Sequence, residues 1–430
     1  MIEAGAGFAA VLLLIALRVP VAVAMGIVGA AGLWWVWGPA SLAFVLGKAP
    51  FDAIATPSLA VVPLFVMMGV FAGRGGLSRA LYEAARAFLG HRRGGLALAT
   101  VGASALFGAI CGSSLATAAT IGKVAMPEMR RAGYPDRLAA ASVAAGGTLG
   151  VMIPPSVLFV VYGLMTEQSI GKLFAAGLLP GLLGMLLYMG AVRLSTRAGT
   201  AGAVAPRLPW RARLVTLARI WQTVLLLLLV LVGMYAGLFT PSEAAAVGAA
   251  GALLLTWLNG QLSLAVLRDG LLETVLTTAM IFAILIGASI FNAFVDATGL
   301  ARVVIDRVAA LGADPLLVLL ALALLYLILG CLMDSLSMIL LTIGAVFPVI
   351  KGLGIDPIWF GVFLVTLAEI GLITPPVGMN LFVLQSTVPG LDLGTVSRGI
   401  LPFVLADGVR LALLLAVPGL ATWLPGLLFG

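Results

Sequence analysis

Residues 146–155 read Gly-Gly-Thr-Leu-Gly-Val-Met-Ile-Pro-Pro, and residues 371–376 read Gly-Leu-Ile-Thr-Pro-Pro. In each stretch, glycine and two consecutive prolines interrupt a long apolar segment. Proline lacks a backbone N–H and clashes with the preceding helical turn, and the residue before it avoids helical backbone angles. The sequence therefore predicts one broken helix in each half of the chain, over residues 137–165 and 357–388.

A second interruption precedes each broken helix. Cys111-Gly-Ser-Ser114 divides the apolar segment 94–127, and Cys331-Leu-Met-Asp-Ser335 divides the apolar segment 314–351. Each of these segments is predicted to form a re-entrant helical hairpin whose tip lies at the interruption. Backbone carbonyls freed at such tips and breaks can coordinate a dehydrated cation, and helix N-termini attract a carboxylate.

The two halves of the chain are related by a shift of 221 residues. The residues that this shift superposes are Ser114-Leu115 and Ser335-Leu336, Pro127 and Pro348, Gly133 and Gly354, Gly150 and Gly371, and Pro154-Pro155 and Pro375-Pro376. Apolar matches mean little in so apolar a chain, but glycine and proline matches at one register are harder to obtain by chance. They indicate a true internal repeat.

Composition excludes a soluble protein. Of the 430 residues, 62% are hydrophobic and 10% are charged, and the mean hydropathy is +1.19. Soluble domains carry about 25% charged residues, and segments of about 20 apolar residues span a bilayer. The N-terminus is interpreted as a first span rather than a signal peptide, because no basic residue precedes its apolar run. The two cysteines, Cys111 and Cys331, are interpreted as packing residues.

The net charge of +7 lies in the loops, so it predicts topology rather than a nucleic-acid partner. Residues 193–219 hold six arginines and no acidic residue, and they are predicted to be cytoplasmic, as are 74–93 and 123–137. Both termini are then predicted to be periplasmic. The ten predicted crossings are 6–17, 19–36, 57–73, 137–165, 170–192, 220–239, 241–258, 272–296, 357–388 and 399–428.

Because each half crosses an odd number of times, the repeats are predicted to be inverted, which is typical of secondary transporters. The first repeat (1–192) would comprise scaffold spans 1–75, an amphipathic arm 76–93, hairpin 94–127 and broken helix 137–165. A basic cytoplasmic linker (193–219) would join it to the second repeat (220–430). That repeat would comprise scaffold spans 220–296, an arm 299–311, hairpin 314–351, broken helix 357–388 and a last span 399–428.

Several polar residues have both a functional and a structural interpretation. Asp334 is an ionisable group in an otherwise uncharged stretch, which favours a functional site, although it could equally cap the second hairpin arm. Ser113 and Ser114 could contact solute or cap a helix. Thr148 and Thr374, each close to a glycine break, could supply an oxygen to a sodium ion or serve only local structure.

Other polar residues favour structural roles. Thr240-Pro-Ser-Glu243 is typical of a capping box. Asp407 and Arg410 are three residues apart and are predicted to pair, whereas Glu369 could belong to a network or to a site. The sequence contains no P-loop motif for ATP, and no catalytic or metal-binding cluster that favours an enzyme.

Several motifs of the sequence resemble those of a known family, the large membrane permease subunit (DctM type) of tripartite ATP-independent periplasmic (TRAP) transporters. The resemblance covers nearly the whole chain and is carried by ASALFGAICGSSLAT (103–117), MIPPS (152–156), TPSEAAAV (240–247), GIDPIWFG (354–361) and EIGLITPPVGMNLF (369–382). It implies an elevator-type importer in the bacterial inner membrane, driven by two or more sodium ions. Its expected partners are a small four-helix membrane subunit and a periplasmic solute-binding protein.

The resemblance also implies site residues. Ser113 with Gly147, Thr148 and Gly150 would frame one sodium ion, and Gly330, Gly371 and Thr374 would frame another. The solute, a small organic acid, would lie near Ser113, Ser114, Ser156 and Asp334. Two departures from the family pattern, at residues 146–148 and at Val151, affect the first sodium site. A stand-alone carrier of dicarboxylate or citrate type, a channel and a membrane enzyme are the alternatives.

Overall fold

The computed structural model describes residues 2–197, 202, 204–310 and 314–430. These residues form helices and connecting turns, and they contain no strand. The helices of the first half are α1 (Ile2–Ala16), α2 (Val21–Trp37), α3 (Pro39–Ala55), α4 (Val61–Arg74), α5 (Leu77–Leu89), α6 (Gly95–Cys111), α7 (Ser114–Arg131), α8 (Asp136–Met152), α9 (Val157–Thr166) and α10 (Ile170–Ser195). Those of the second half are α11 (Trp210–Arg219), α12 (Trp221–Tyr235), α13 (Pro241–Leu258), α14 (Leu264–Ala297), α15 (Leu300–Ala310), α16 (Pro315–Leu332), α17 (Ser335–Gly352), α18 (Pro357–Ile373), α19 (Met379–Thr387), α20 (Leu393–Ala416) and α21 (Gly419–Phe429).

Helix lengths and hydropathy make this a multi-pass membrane protein. Within the described ranges, eight helical segments are long and apolar enough to cross a membrane, or nine if α11 and α12, which meet at a 51° bend, count as one span. Two of the eight are α16 and α17, the arms of the predicted second hairpin. The ten-crossing topology and the inversion of the repeats stay predictions.

The helix ends follow the local sequence. The predicted capping box is present at Thr240 and Glu243, where each side chain accepts a hydrogen bond from the other residue's backbone N–H. The predicted interruption between the first two helices is also present. Arg18 has a φ of +69°, and Pro20 precedes the first residue of α2.

The structure adds helices that hydropathy did not indicate. Helix α3 was not predicted, because Lys48, Pro50 and Asp52 reduce the apolar signal of its segment. Helix α14 begins at Leu264 rather than near residue 272, since Ser263 caps two charged turns that precede its apolar part. The predicted linker 193–219 contains the end of α10 and all of α11. Within it, residues 198–201 and 203 lie outside the described residues, as do 311–313 after the second arm.

Packing joins each hairpin to the broken helix that follows it. Hairpin α6–α7 packs against α8, and hairpin α16–α17 packs against α18. Beyond its break, each broken helix reaches the opposite hairpin: α9 packs against α17, and α19 packs against α7. This reciprocity is what two related halves would produce. The remaining helices α2, α4, α13 and α14 pack against one another beside the hairpins.

Candidate functional site

The two hairpin tips are built in similar ways. Helix α6 ends at Cys111, Gly112 adopts a left-handed φ of +63°, and the Ser113 side chain accepts a hydrogen bond from the Ala116 N–H at the start of α7. Glycine suits the turn because a side chain is disfavoured at that φ. At the second tip, Asp334 caps α17. Each tip therefore presents a helix N-terminus.

Both tips line a single cavity of about 750 Å³. The first tip contributes Ser113 and Ser114, and the second contributes Asp334 and Ser335. The opposite wall comes from α4 and α14, whose lining residues include Gly69, Gly73, Arg74, Glu273, Thr277 and Met280. The structure thus brings together two pairs of polar residues, one pair from each hairpin tip, that are about 220 positions apart in the sequence.

Four charged side chains line this cavity, and two of them pair with each other. Arg74 on α4 and Glu273 on α14 form an ion pair of 2.6 Å. Lys123 on α7 is exposed and has no ion pair or hydrogen bond among the described residues. Asp334 accepts hydrogen bonds from the N–H and the hydroxyl of Ser337, at 3.0 and 2.5 Å. Among the described residues that line the cavity, Lys123 is therefore the one basic side chain without a partner, and the carboxylate of Asp334 at the second tip caps α17.

Close backbone contacts fix each hairpin to its broken helix. A methyl group placed on Gly150 would lie 2.8 Å from the Cα of Gly108, and one on Gly371 would lie 2.6 Å from the Cα of Gly330. These distances are shorter than any van der Waals contact, so only glycine fits at both crossings. The prediction that these glycines interrupt the helices was wrong, because Gly150 lies inside α8 and Gly371 inside α18, and both helices end only shortly before the paired prolines. The glycines are instead the points where the hairpins touch these helices.

Comparison with known proteins agrees with this arrangement. Residues 8–420 match the model of the family described as "Tripartite ATP-independent periplasmic transporter, DctM component". The chain belongs to this family. It is a large permease subunit of a TRAP transporter, and the family consists of transporters rather than enzymes.

Curated relatives of this permease carry different solute names. A C4-dicarboxylate TRAP transporter large permease protein of Pseudomonas aeruginosa is 39% identical over 87% of this chain and 88% of its own. A sialic acid TRAP transporter large permease protein of Vibrio cholerae is 34% identical over 87% of each chain. A sialic acid TRAP transporter permease protein of Haemophilus influenzae is 32% identical over 86% of this chain and 60% of its own.

Two solved structures with a similar fold are distant from this chain in sequence. The Alcanivorax borkumensis YdaH transporter has a TM-score of 0.60 at 18% identity, covering 88% of the permease and 89% of its own chain. Neisseria gonorrhoeae MtrF has a TM-score of 0.61 at 13% identity, covering 90% and 85%. At these identities the likeness concerns the fold alone. It shows that the permease shares the polytopic helical architecture of these two proteins.

The structure groups most of the predicted sodium-site residues. A methyl group on Gly150 would lie 3.4 Å from the carbonyl oxygen of Ser113, and one on Gly147 would lie 3.1 Å from that of Ser114. The hydroxyl of Thr148 points elsewhere, because it donates to the Ala145 carbonyl and also contacts the Tyr188 hydroxyl. The backbone oxygens of the first tip therefore face Gly147 and Gly150 of α8, and the Thr148 hydroxyl does not point toward them.

Around the second tip, the predicted residues also lie together. Gly330 contacts Gly371 directly, as the crossing distances above require. Thr374 ends α18, and its hydroxyl donates to the carbonyl of Ile370 at 2.6 Å. Among the described residues there is no group of three histidine, cysteine or acidic side chains that could hold a metal ion. A cation in either place would therefore be coordinated by carbonyl and hydroxyl oxygens, which are the ligands that hard cations favour.

The predicted solute residues do not all reach the cavity. Ser113, Ser114 and Asp334 line it, whereas Ser156 is fully buried, caps α9 by accepting from the Phe159 N–H, and is absent from the lining. Its neighbours Pro155 and Val157 contact Gly112 of the first tip, so Ser156 lies next to the tip without lining the cavity.

Asn380 is a residue of the site that the sequence prediction missed. It lies in the first turn of α19, is fully buried, and donates hydrogen bonds from Nδ2 to Ser114 Oγ at 2.7 Å and to the Ala144 carbonyl at 2.9 Å. It thereby ties the first hairpin tip to the break of the other half. Its signal was an amide side chain four residues after Pro376 within an apolar segment.

Replacing Asn380 with alanine is expected to reduce both stability and transport. The change leaves the buried Ser114 hydroxyl and the Ala144 carbonyl with fewer partners, at a cost of about 1–3 kcal/mol. Thermal unfolding of the purified permease and solute uptake in proteoliposomes measure the two effects. Asn259→Ala, which removes an exposed amide with one long contact of 3.5 Å to Gly75, is the control. Equal behaviour of the two variants would contradict this role for Asn380.

A network of buried charged residues connects α18 and α20 with α8, the helix against which the first hairpin packs. The predicted pairing of Asp407 with Arg410 is confirmed at 2.9 Å, and Glu369 is the second carboxylate of that arginine, at 2.5 Å. All three side chains are fully buried. Tyr188 donates to Asp407 at 2.6 Å and contacts Thr148, so the network extends from α20 to α8. Glu369 is thus a network partner and does not line the cavity.

Proposed function

We propose that this permease imports a small organic acid together with sodium ions, by elevator-type alternating access. It would work with a small four-helix membrane subunit and a periplasmic binding protein, in the bacterial inner membrane. The observation that supports this most strongly is the single cavity lined by both hairpin tips. A solute held there would touch both hairpins at once, beside the wall formed by α4 and α14.

The polar groups of the cavity suit a carboxylate that also carries hydroxyl or amide donors. The N-terminus of α7, at Ser113 and Ser114, carries no acidic residue, so its helix dipole and free N–H groups attract an anion. Lys123 supplies the unpaired positive charge on the same side. The N-terminus of α17 is already neutralised by Asp334, whose oxygens can accept hydrogen bonds from the neutral polar groups of the solute. Sialic acid, which is named for two of the relatives, has this chemistry, and a C4-dicarboxylate, which is named for another, has it where it carries a hydroxyl group.

Sodium coupling is supported by the oxygens grouped at the tips. The carbonyl oxygens of Ser113 and Ser114 lie beside Gly147 and Gly150 in the C-terminal part of α8, so a cation bound there would connect the first hairpin to α8. Gly330, Gly371 and Thr374 offer a comparable place at the second tip. Cation binding at both would hold the tips in the arrangement that the solute recognises.

The orientation proposed for the permease places both termini in the periplasm and the basic segments in the cytoplasm. Arg74 and Lys123, which belong to those basic segments, line the cavity together with the tips. The cavity therefore would open toward the cytoplasm in this structure, as expected for the state that releases solute.

Uptake into proteoliposomes tests the proposal. The permease is reconstituted with its small membrane subunit, and the binding protein loaded with labelled solute is added outside. Uptake is expected only with binding protein present and with sodium high outside, and it should saturate with solute. Equal uptake of free solute without binding protein would favour a stand-alone carrier. Equal uptake with potassium replacing sodium would contradict sodium coupling.

Asp334→Asn is expected to lower uptake at least about tenfold while leaving stability nearly unchanged. Asparagine caps helices about as well as aspartate, so α17 should persist while the charge in the cavity is lost. The matched control is Asp314→Asn, which changes the cap of α16 at the other end of the same hairpin and outside the cavity. Asp334 would not belong to the site if its variant transported with unchanged rate and sodium dependence.

A further inference from the structure

Four arginines that the transport site does not use line one small pocket. Arg92 and Arg93 come from the turn between α5 and α6, and Arg193 and Arg197 come from the end of α10. The pocket has a volume of about 260 Å³, and among the described residues Thr196 is the fifth that lines it. No acidic side chain lines it, and within the described residues none of the four guanidinium groups forms an ion pair.

Backbone packing holds the two pairs of arginines together. Gly94, which follows Arg93, has a left-handed φ of +69°, and a methyl group there would lie 2.8 Å from Thr196 and 3.2 Å from Val192. The turn is therefore in direct contact with the last turn of α10, and Thr196 is buried in that contact. The four positive charges converge because the fold places them there, despite the repulsion between them.

More positive charge surrounds the same turn. Desolvation and the charges of Arg213, Arg207 and Arg92 lower the pKa of His91. Arg213 is only 4% exposed and stacks over Trp210 with 5.2 Å between the guanidinium carbon and the ring centre. Two of its nitrogens have no hydrogen-bond partner within the part of the chain that the structure describes. Among the described residues, no carboxylate pairs with Arg213 or with the four pocket arginines. An anion bound from outside the protein would therefore stabilise this cluster of positive charges.

The surroundings of the pocket fit the surface of a membrane. The α10 span ends at Ser195, at the level of the pocket, and Leu194 between the pocket arginines is 61% exposed. Helix α11, which packs against α5, exposes Trp210, Leu214 and Val215 beside its own arginines. Exposed apolar side chains next to arginines are typical of segments that lie in the lipid headgroup region.

We propose that this arginine pocket binds the phosphate of an anionic phospholipid in the cytoplasmic leaflet. Arginine matches phosphate oxygens with two parallel N–H donors, and basic pockets between transmembrane helices are known to favour such headgroups. The pocket adjoins α5 and the first helix of the first hairpin, so a bound lipid would anchor the base of that hairpin at the membrane surface.

Lipid-dependent thermal unfolding of the full-length permease in detergent tests the proposal. Phosphatidylglycerol is titrated against the wild type and against Arg93→Gln/Arg197→Gln, with phosphatidylcholine and inorganic phosphate as separate arms. Phosphatidylglycerol is expected to raise the unfolding temperature of the wild type, and phosphatidylcholine is not. The double variant should need about 25-fold more phosphatidylglycerol, at about fivefold for each arginine.

The matched control removes two arginines elsewhere. Arg302→Gln/Arg307→Gln changes two exposed residues on α15, the other arm, and should keep the wild-type response. The unfolding temperatures without lipid verify that both double variants are folded. The proposal is overturned if the two double variants respond alike, or if phosphatidylcholine stabilises as well as phosphatidylglycerol. It is also overturned if inorganic phosphate alone gives the full effect, which would indicate a soluble anion instead of a lipid.

Discussion

Replacing Gly150 with alanine is expected to abolish sodium-driven uptake. The added methyl group would lie 2.8 Å from the Cα of Gly108 and 2.9 Å from the Thr117 hydroxyl oxygen. Because the nearest atom belongs to a helix backbone, the first hairpin must move away from α8, at a cost of about 1–3 kcal/mol. That movement separates α8 from the Ser113 carbonyl and so disrupts the group of oxygens proposed to hold sodium. Uptake in proteoliposomes measures the loss.

A glycine with free space provides the control for this prediction. A methyl group on Gly190, in α10, meets no atom within 4 Å, so Gly190→Ala should transport normally. Gly371→Ala repeats the test at the second crossing, where Gly330 blocks the methyl group. Thermal unfolding separates a displaced hairpin from an unfolded protein. Full sodium-dependent uptake by the Gly150 variant would show that this close contact is not required.

Arg410→Gln is expected to destabilise the folded permease by about 3–5 kcal/mol, because it leaves Glu369 and Asp407 as buried carboxylates without a cation. The free energy of unfolding, measured in mixed detergent micelles with increasing denaturing detergent, tests this. The cost of an unpaired buried charge exceeds that of losing any single hydrogen bond in the network. A low yield of folded protein would agree with it.

Two further variants make this prediction specific to charge. The triple change Glu369→Gln, Asp407→Asn and Arg410→Gln removes all three charges together and should recover much of the lost stability. Arg268→Gln removes an exposed pair with Asp269, and should change stability by no more than about 1 kcal/mol. If Arg410→Gln were as stable as Arg268→Gln, the buried network would not contribute as described.

The sequence alone was sufficient to predict the elements that depend on particular residue types at short spacings. Proline and glycine at one register predicted the breaks and hairpin tips, because these residues limit backbone conformation wherever they occur. The capping box at Thr240 and the pairing of Asp407 with Arg410 could also be predicted, because both depend on neighbours three residues apart in the sequence. The family follows from the same short motifs.

Contacts between distant segments could not be predicted in this way. Asn380 reaches Ser114 across 266 positions, and Arg74 pairs with Glu273 across 199. Neither contact has a periodicity or spacing that identifies it. Helix α3 was missed because an amphipathic helix with two charges has no strong hydropathy signal. The direction of the Thr148 hydroxyl depends on Tyr188, which lies on another helix.

The central claim is that both hairpin tips belong to one sodium-dependent solute site. Cysteine labelling tests it most directly, with Ser113→Cys and Ser335→Cys made separately in a background where Cys111 and Cys331 are alanine. A water-soluble thiol reagent is applied to the purified permease with sodium or potassium, and with or without the solute carried by its binding protein. Solute is predicted to slow labelling at both positions, and only when sodium is present. Protection at one tip alone, or at neither, would contradict a shared site.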